Sequence, residues 1–259
     1  MFFVRRTKRI MIVKRKHKYQ NIISLGYFCS IALELERMGL RSCSSPFDWC
    51  ITDFEGVIKL IDNDFKDLFN EDLLYQNNSN RAYYMNCKYK IQFFHDFNQN
   101  ETLIEQLPLV REKYNRRIQR FYSMIQQPTL FIRYISSEDG NAELRYIEEK
   151  YEWILAMLKK YNSQNEIIFI ADESISSNII EIYYVERDKG DVVARYPLTQ
   201  NQELYRFVNH ISVKRRWRNK VRYFFKVKKK NMYYRLEKIF PKKEKIDNLG
   251  QVYMHDKTY

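Results

Sequence analysis

One stretch of about forty residues constrains the fold of this chain more than any other. Residues 130–135 read as an apolar strand, with Pro128 just before them. The polar residues 136–141 follow. Residues 143–161 then carry Leu144, Ile147, Tyr151, Ile154, Leu155 and Leu158 at the spacing of one helix face. A second apolar run, 167–171, opens after Glu166 and closes on Asp172. Strand, helix, strand in that order predicts a parallel pair, because parallel neighbours need a long crossover. Continuous apolar runs belong to strands buried on both faces. The expected class is α/β: a mostly parallel sheet flanked by helices, with one more strand over 179–184.

The remaining segments fit around that unit. Ile22, Ile23 and Leu25 form a short apolar run that ends at Gly26. After Cys29, the residues Ile31, Leu35 and Met38 recur at helical spacing and Gly39 stops the helix. Residues 41–49 read as a polar loop, in which Pro46 pushes Ser45 into extended backbone. Helices are expected over 54–69 and 101–125, the second kinked or split at Pro108. Residues 77–80 mark a turn, and 83–94 have the Tyr, Phe and Ile content of strands. With six glycines in the chain, no glycine-rich phosphate loop can be placed.

Charge divides the chain. Residues 1–20 carry eight Lys and Arg and no acid, and residues 211–259 carry sixteen against four acids. The total is +13, so the middle is net acidic. This predicts a basic N-terminal arm (1–20), an α/β body (21–210) and a basic, amphipathic, helical C-terminal extension (211–259). Basic arms attract anionic polymers or an anionic lipid leaflet, by about 1 kcal/mol per cation near the surface. The acidic body argues against a folded nucleic-acid groove, although residues 215–225 interleave cations and aromatics as single-strand binders do. Within 213–240, Trp217, Val221, Phe224, Phe225, Met232 and Leu236 recur at roughly helical intervals among Lys and Arg. That is the pattern of a helix lying in a membrane interface. No signal peptide is read, since Arg5, Arg6, Lys8 and Arg9 interrupt the N-terminus. Met11 is an alternative start. Four cysteines without paired metal spacing fit free thiols in a reducing cytoplasm, with peripheral docking at the inner membrane face. Four histidines are too few for a zinc site, and neither metal nor cofactor is expected.

Cys29 is the residue with most chemical promise. At a strand-to-helix junction a thiol feels the positive end of the helix dipole, which favours the nucleophilic thiolate. The competing reading is a buried cysteine that acts as a small apolar filler. Two blocks bear on the choice: Ser24-Leu25-Gly26-Tyr27-Phe28-Cys29, and Pro46-Phe47-Asp48-Trp49. With Phe94-His95-Asp96-Phe97 and Leu130-Phe131-Ile132-Arg133, they resemble a family of bacterial proteins of unknown function described as papain-like cysteine peptidases. The likeness spans roughly residues 20–175. It implies a Cys nucleophile at Cys29 and a His base at His95. It also implies a papain-like α+β fold with an antiparallel barrel, the alternative to the α/β reading of the local pattern.

The remaining site residues follow from position. Asp172 ends a strand of the parallel sheet, where sites open beyond the carboxyl ends, and is the acid expected to orient His95. Asp48 and Asp96 are the alternative acids. Arg116, Arg117 and Arg120 on the 101–125 helix are candidates for gripping an anionic group of substrate. The leading function is a Cys-dependent hydrolase or acyltransferase acting on a peptide, acyl or glycan-linked substrate. The alternative is a non-catalytic or glycan-related protein of surface-polysaccharide assembly, docked at the membrane by its basic ends.

Overall fold

The computed structural model describes residues 19–77, 83–98, 100–137, 141–172, 174–188, 191, 193–211 and 216–239, with side chains to 232 in the last segment. Most of the basic N-terminal arm (1–18), with Met11 and His17, and the last residues (240–259) lie outside the described residues.

Four strands form a parallel sheet in the order β1 (Asn21–Ser24), β6 (Thr129–Ile135), β7 (Glu166–Asp172) and β8 (Ile182–Val185). Helix α4 (Ala142–Tyr161) makes the crossover from β6 to β7, as its apolar stripe requires. All seven residues of β6 are buried, because both faces of the sheet are covered. On one face Ile22, Leu130, Ile132, Tyr134, Ile170 and Val185 pack with α1 (Ser30–Arg37) and α6 (Gln202–His210), and with Leu198 of the short α5 (Pro197–Gln200). On the other, Ile23, Phe131, Ile135, Ile167 and Phe169 pack with α2 (Phe54–Asp62), α3 (Leu103–Ile125) and α4. Alternate strand residues thus feed two cores, one above and one below the sheet. The α/β class is the observed one.

A second sheet is antiparallel, in the order β2 (Cys50–Thr52), β5 (Ile91–Phe93), β4 (Tyr83–Asn86) and β3 (Leu74–Asn77). It is an appendage of three- and four-residue strands. The body is not the antiparallel barrel of the papain-like alternative, since the long strands are tied in parallel by a helical crossover.

Three element boundaries differ from expectation. Helix α2 stops at Asp62 rather than running to 69, because Asp64, Phe65 and Asp67 take φ of 58°, 59° and 63°. Phe65 and Leu68 still enter the core, but from a coiled turn. Helix α3 continues through Pro108. The last strand begins at Ile182, which leaves Ile179 exposed. The chain divides into two compact units, 1–220 and 221–259, with the division inside α7 (Arg216–Ile239).

Candidate functional site

The Cys29 turn is built by the sheet below it. Leu25 donates its N–H to Ile132 and Tyr134 donates to Gly26, so the β1–β6 ladder carries on past β1. Gly26 has φ +86°, and a Cβ there would stand 2.1 Å from Thr52 Oγ1. Only glycine fits that approach. Cys29 is then the N-cap of α1, with its carbonyl accepting from Leu33 N–H. The thiol is free of any disulfide, and the residue is 6% exposed. Beside it, the buried Ser30 hydroxyl has no hydrogen-bond partner. The first amides of α1 point toward this end, as at any helix start.

Arg133 locks the turn in place, and sequence reading did not assign it a role. It is fully buried on β6. Its Nη1 donates to Leu25 O (2.9 Å) and Thr52 Oγ1 (2.7 Å), and its Nη2 to Thr52 O (2.8 Å). Glu143, at the start of α4, accepts from its Nε and Nη2. The planar guanidinium therefore spends its donors on β1, β2 and α4 together. A cation inside an otherwise apolar strand was the signal, since a buried Arg demands a partner acid.

His95 lies on the second sheet, just after β5. It is exposed, and its ring meets Trp49 edge-on with centroids 6.5 Å apart. The guanidinium of Arg41 sits 5.2 Å from the Trp49 ring and pairs with Glu36 (2.8 Å) and Asp48 (2.6 Å). This chain of contacts reaches the C-terminal end of α1. Cys29 stands at its N-terminal end, and Glu36 is about 10 Å further along a helix of this rise.

Asp172 ends β7 at the same sheet edge from which β1 leads to Cys29. Its carboxylate accepts from Ser137 Oγ (2.8 Å) and from the N–H (3.1 Å) and hydroxyl of Ser174, with Arg187 at 3.8 Å. Burial alone would raise it, but the serine bonds and Arg187 outweigh burial and hold it below the usual carboxylate range. Its partners are thus the segments after β6, β7 and β8.

The alternative acids belong to a buried network. Asp48 accepts from Ser45 N–H (2.9 Å) and Arg41; burial pushes it up, and Arg41 opposes that. Asp96 accepts from Tyr114 (2.8 Å) and pairs with Lys113 (2.6 Å) and Arg117 (3.7 Å). Asp96 therefore turns inward where His95 turns outward. Cys50 lies 3.1 Å from the Tyr114 oxygen, and burial first, then Asp96, push its thiol far up. That keeps it protonated. Arg116 pairs with Glu112 on the exposed face and Arg120 is exposed, whereas Arg117 is drawn toward Asp96.

Elsewhere, a cavity of about 330 Å³ lies between α3 and the turn after α2, lined by Phe65, Leu68, Arg111 and Asn115 among others. None of the catalytic candidates lines it. Among the described residues no three His, Cys, Asp or Glu converge as a metal site, and no helix is long and apolar enough to cross a membrane.

Comparison with known proteins places this arrangement in a family. "Uncharacterized protein R408" of Acanthamoeba polyphaga mimivirus is 30% identical over 178 residues, covering 60% of this chain and 79% of the relative. No solved structure matches. Residues 20–170, which hold the Cys29 turn, the Asp48 and Asp96 network and Arg133, match the family model, and the chain belongs to the family described as "Putative papain-like cysteine peptidase (DUF1796)".

Proposed function

We propose that the protein is a cysteine-dependent hydrolase or acyltransferase, peptidase-like in its chemistry, with Cys29 as nucleophile. The observation that carries this is the place of Cys29: N-cap of α1, at the carboxyl end of a parallel strand, inside the matched blocks. The helix dipole favours the thiolate there, and the first amides of α1 are donors for an oxyanion. The thiolate adds to a substrate carbonyl carbon, and the oxygen takes up the electron pair. Collapse breaks the bond to the leaving group, which departs with a proton from the base and leaves a thioester. Water, or another acceptor that gives its proton to the base, then cleaves the thioester and restores the thiol. His95 is assigned as the base on the family likeness. Asp172, bound to Ser137, Ser174 and Arg187, orders the segments that would wall a substrate at this edge.

The cysteines themselves supply the test. Cys87 is exposed and Cys43 half-buried, so exposure alone ranks both above Cys29 in reactivity with iodoacetamide. The expected result is faster alkylation of Cys29 in the folded protein, slowed at least tenfold by His95→Gln. If Cys29 reacts no faster than Cys87, the nucleophile assignment fails. If Cys29 is fast and His95→Gln changes nothing, the base is another group.

A second reading has its own observation: at 6% exposure Cys29 is as buried as a structural cysteine. The motif is then a packing turn and the protein non-catalytic. This reading predicts that Cys29→Ser keeps full function in cells, which a catalytic thiol does not tolerate.

A further inference from the structure

We infer that helix α7 is a docking element for an anionic lipid surface. It runs over Arg216–Ile239, and its side chains are described to residue 232. Between 216 and 232 it carries eight Lys and Arg and no acid. Trp217, Val221, Phe224, Phe225 and Met232 are all exposed, with Trp217 at 73% and Phe225 at 63%. Steps of three, four and seven residues put these five on one face of the helix, about 100° wide. Arg218, Arg222 and Lys229 line the flank next to it, with Lys226 and Lys230 further round the helix.

The first turn of the helix is anchored to the preceding fold. Near its start, Arg216 donates to Asn209 and Asn219 donates to Gly39 O (3.2 Å). Those anchors lie on the side turned from the apolar stripe. Lys228 falls within the stripe, yet its Nζ stands 4.7 Å from the Phe224 ring centroid. A lysine laid along an aromatic can keep its stem with the apolar face and extend its head to water or to a phosphate. Two rings, Phe224 and Phe225, sit side by side with centroids 5.8 Å apart.

Charge decides the occupant. A second copy of α7 would bring the ten Lys and Arg of residues 216–239 against ten, with Glu237 alone to offset them. An anionic bilayer takes the rings among its headgroups and acyl boundary and pairs the cations with lipid phosphates. Single-stranded nucleic acid would use the cations too, but it would not need Val221 and Met232 on the same face as the rings.

The experiment uses the full chain and sonicated vesicles, one set zwitterionic and one with a third phosphatidylglycerol. Co-sedimentation and the emission of Trp217, assigned with Trp217→Phe, report binding. Expected are binding to the anionic vesicles only, a blue shift, and weakening as salt rises. Phe224→Ser with Phe225→Ser should lower affinity at least tenfold, and so should Lys226→Glu with Lys229→Glu and Lys230→Glu. These positions are exposed, so the thermal unfolding of both variants should match the wild type. No binding to anionic vesicles overturns the inference. So does binding insensitive to the paired Ser substitutions, or an apolar-dependent dimer seen by sedimentation without vesicle binding.

Discussion

At the scale of single residues, Arg133 does more to hold the candidate site than any predicted catalytic group. Through Leu25 and Thr52 it joins the Cys29 turn to the second sheet, and through Glu143 it joins both to α4. Arg133→Leu should cost about 3–5 kcal/mol, since it leaves the Glu143 carboxylate buried without its partner. Arg133→Leu with Glu143→Leu should regain part of that, but not all. The Thr52 carbonyl would still lose its Arg133 donor, and Leu25 O would keep only the long bond from Thr52 Oγ1 (3.5 Å), at about 1–3 kcal/mol for each lost bond. Urea unfolding checks both, and a double variant as stable as the wild type would show that the guanidinium does not anchor the turn. The sequence could mark Arg133 as odd within an apolar strand. It could not name Glu143 as partner, because nothing local to β6 says which end of α4 packs over it. Likewise Asp48 stood out by motif and Asp96 by its place beside His95, yet their ties to Arg41 and Tyr114 depend on a loop and a helix meeting in space.

At the scale of elements, the helices were legible where their ends carry their own signals. Helix α1 closes in a Schellman arrangement, with Gly39 N–H to Glu36 O and Leu40 N–H to Leu35 O, and Gly39 at φ +72°. Helix α3 opens with a capping box: Thr102 accepts from Glu105 N–H, and Glu105 accepts from Thr102 N–H. Thr102→Ala should remove about 1 kcal/mol and lower Tm by about 2–4 °C, measured by thermal unfolding. Pro108 is tolerated for a different reason. It lies within the first two turns, and the lost bond would have gone to Ile104, which is solvent-exposed. Helix α2 was over-read because Phe65 and Leu68 keep helical spacing while the backbone has already left the helix. The second sheet was only half read, since three-residue strands such as β2 are too short for an alternating pattern to stand out.

At the scale of the whole molecule, Asp172 gathers three strand ends, and pH should report it. Its folded pKa is depressed, so its stabilisation is full above the unfolded value of about 3.9 and is lost as pH falls through the folded one. The wild type should therefore exceed Asp172→Asn in urea stability at pH 7 and pH 5, and the gap should close below about pH 4. A gap that persists unchanged at pH 3 would separate the serine bonds from the charge. The sequence by itself determined the parallel β6–α4–β7 unit, the Cys29 helix and the amphipathic α7, because each rests on local periodicity and on end signals a few residues apart. Only the tertiary structure decided that Asp172 binds serines, that His95 leans on Trp49, and that Arg133 holds the Cys29 turn. Ser174 apart, those choices turn on partners 35 to 108 residues away in the chain, and burial selects them only after both cores have closed.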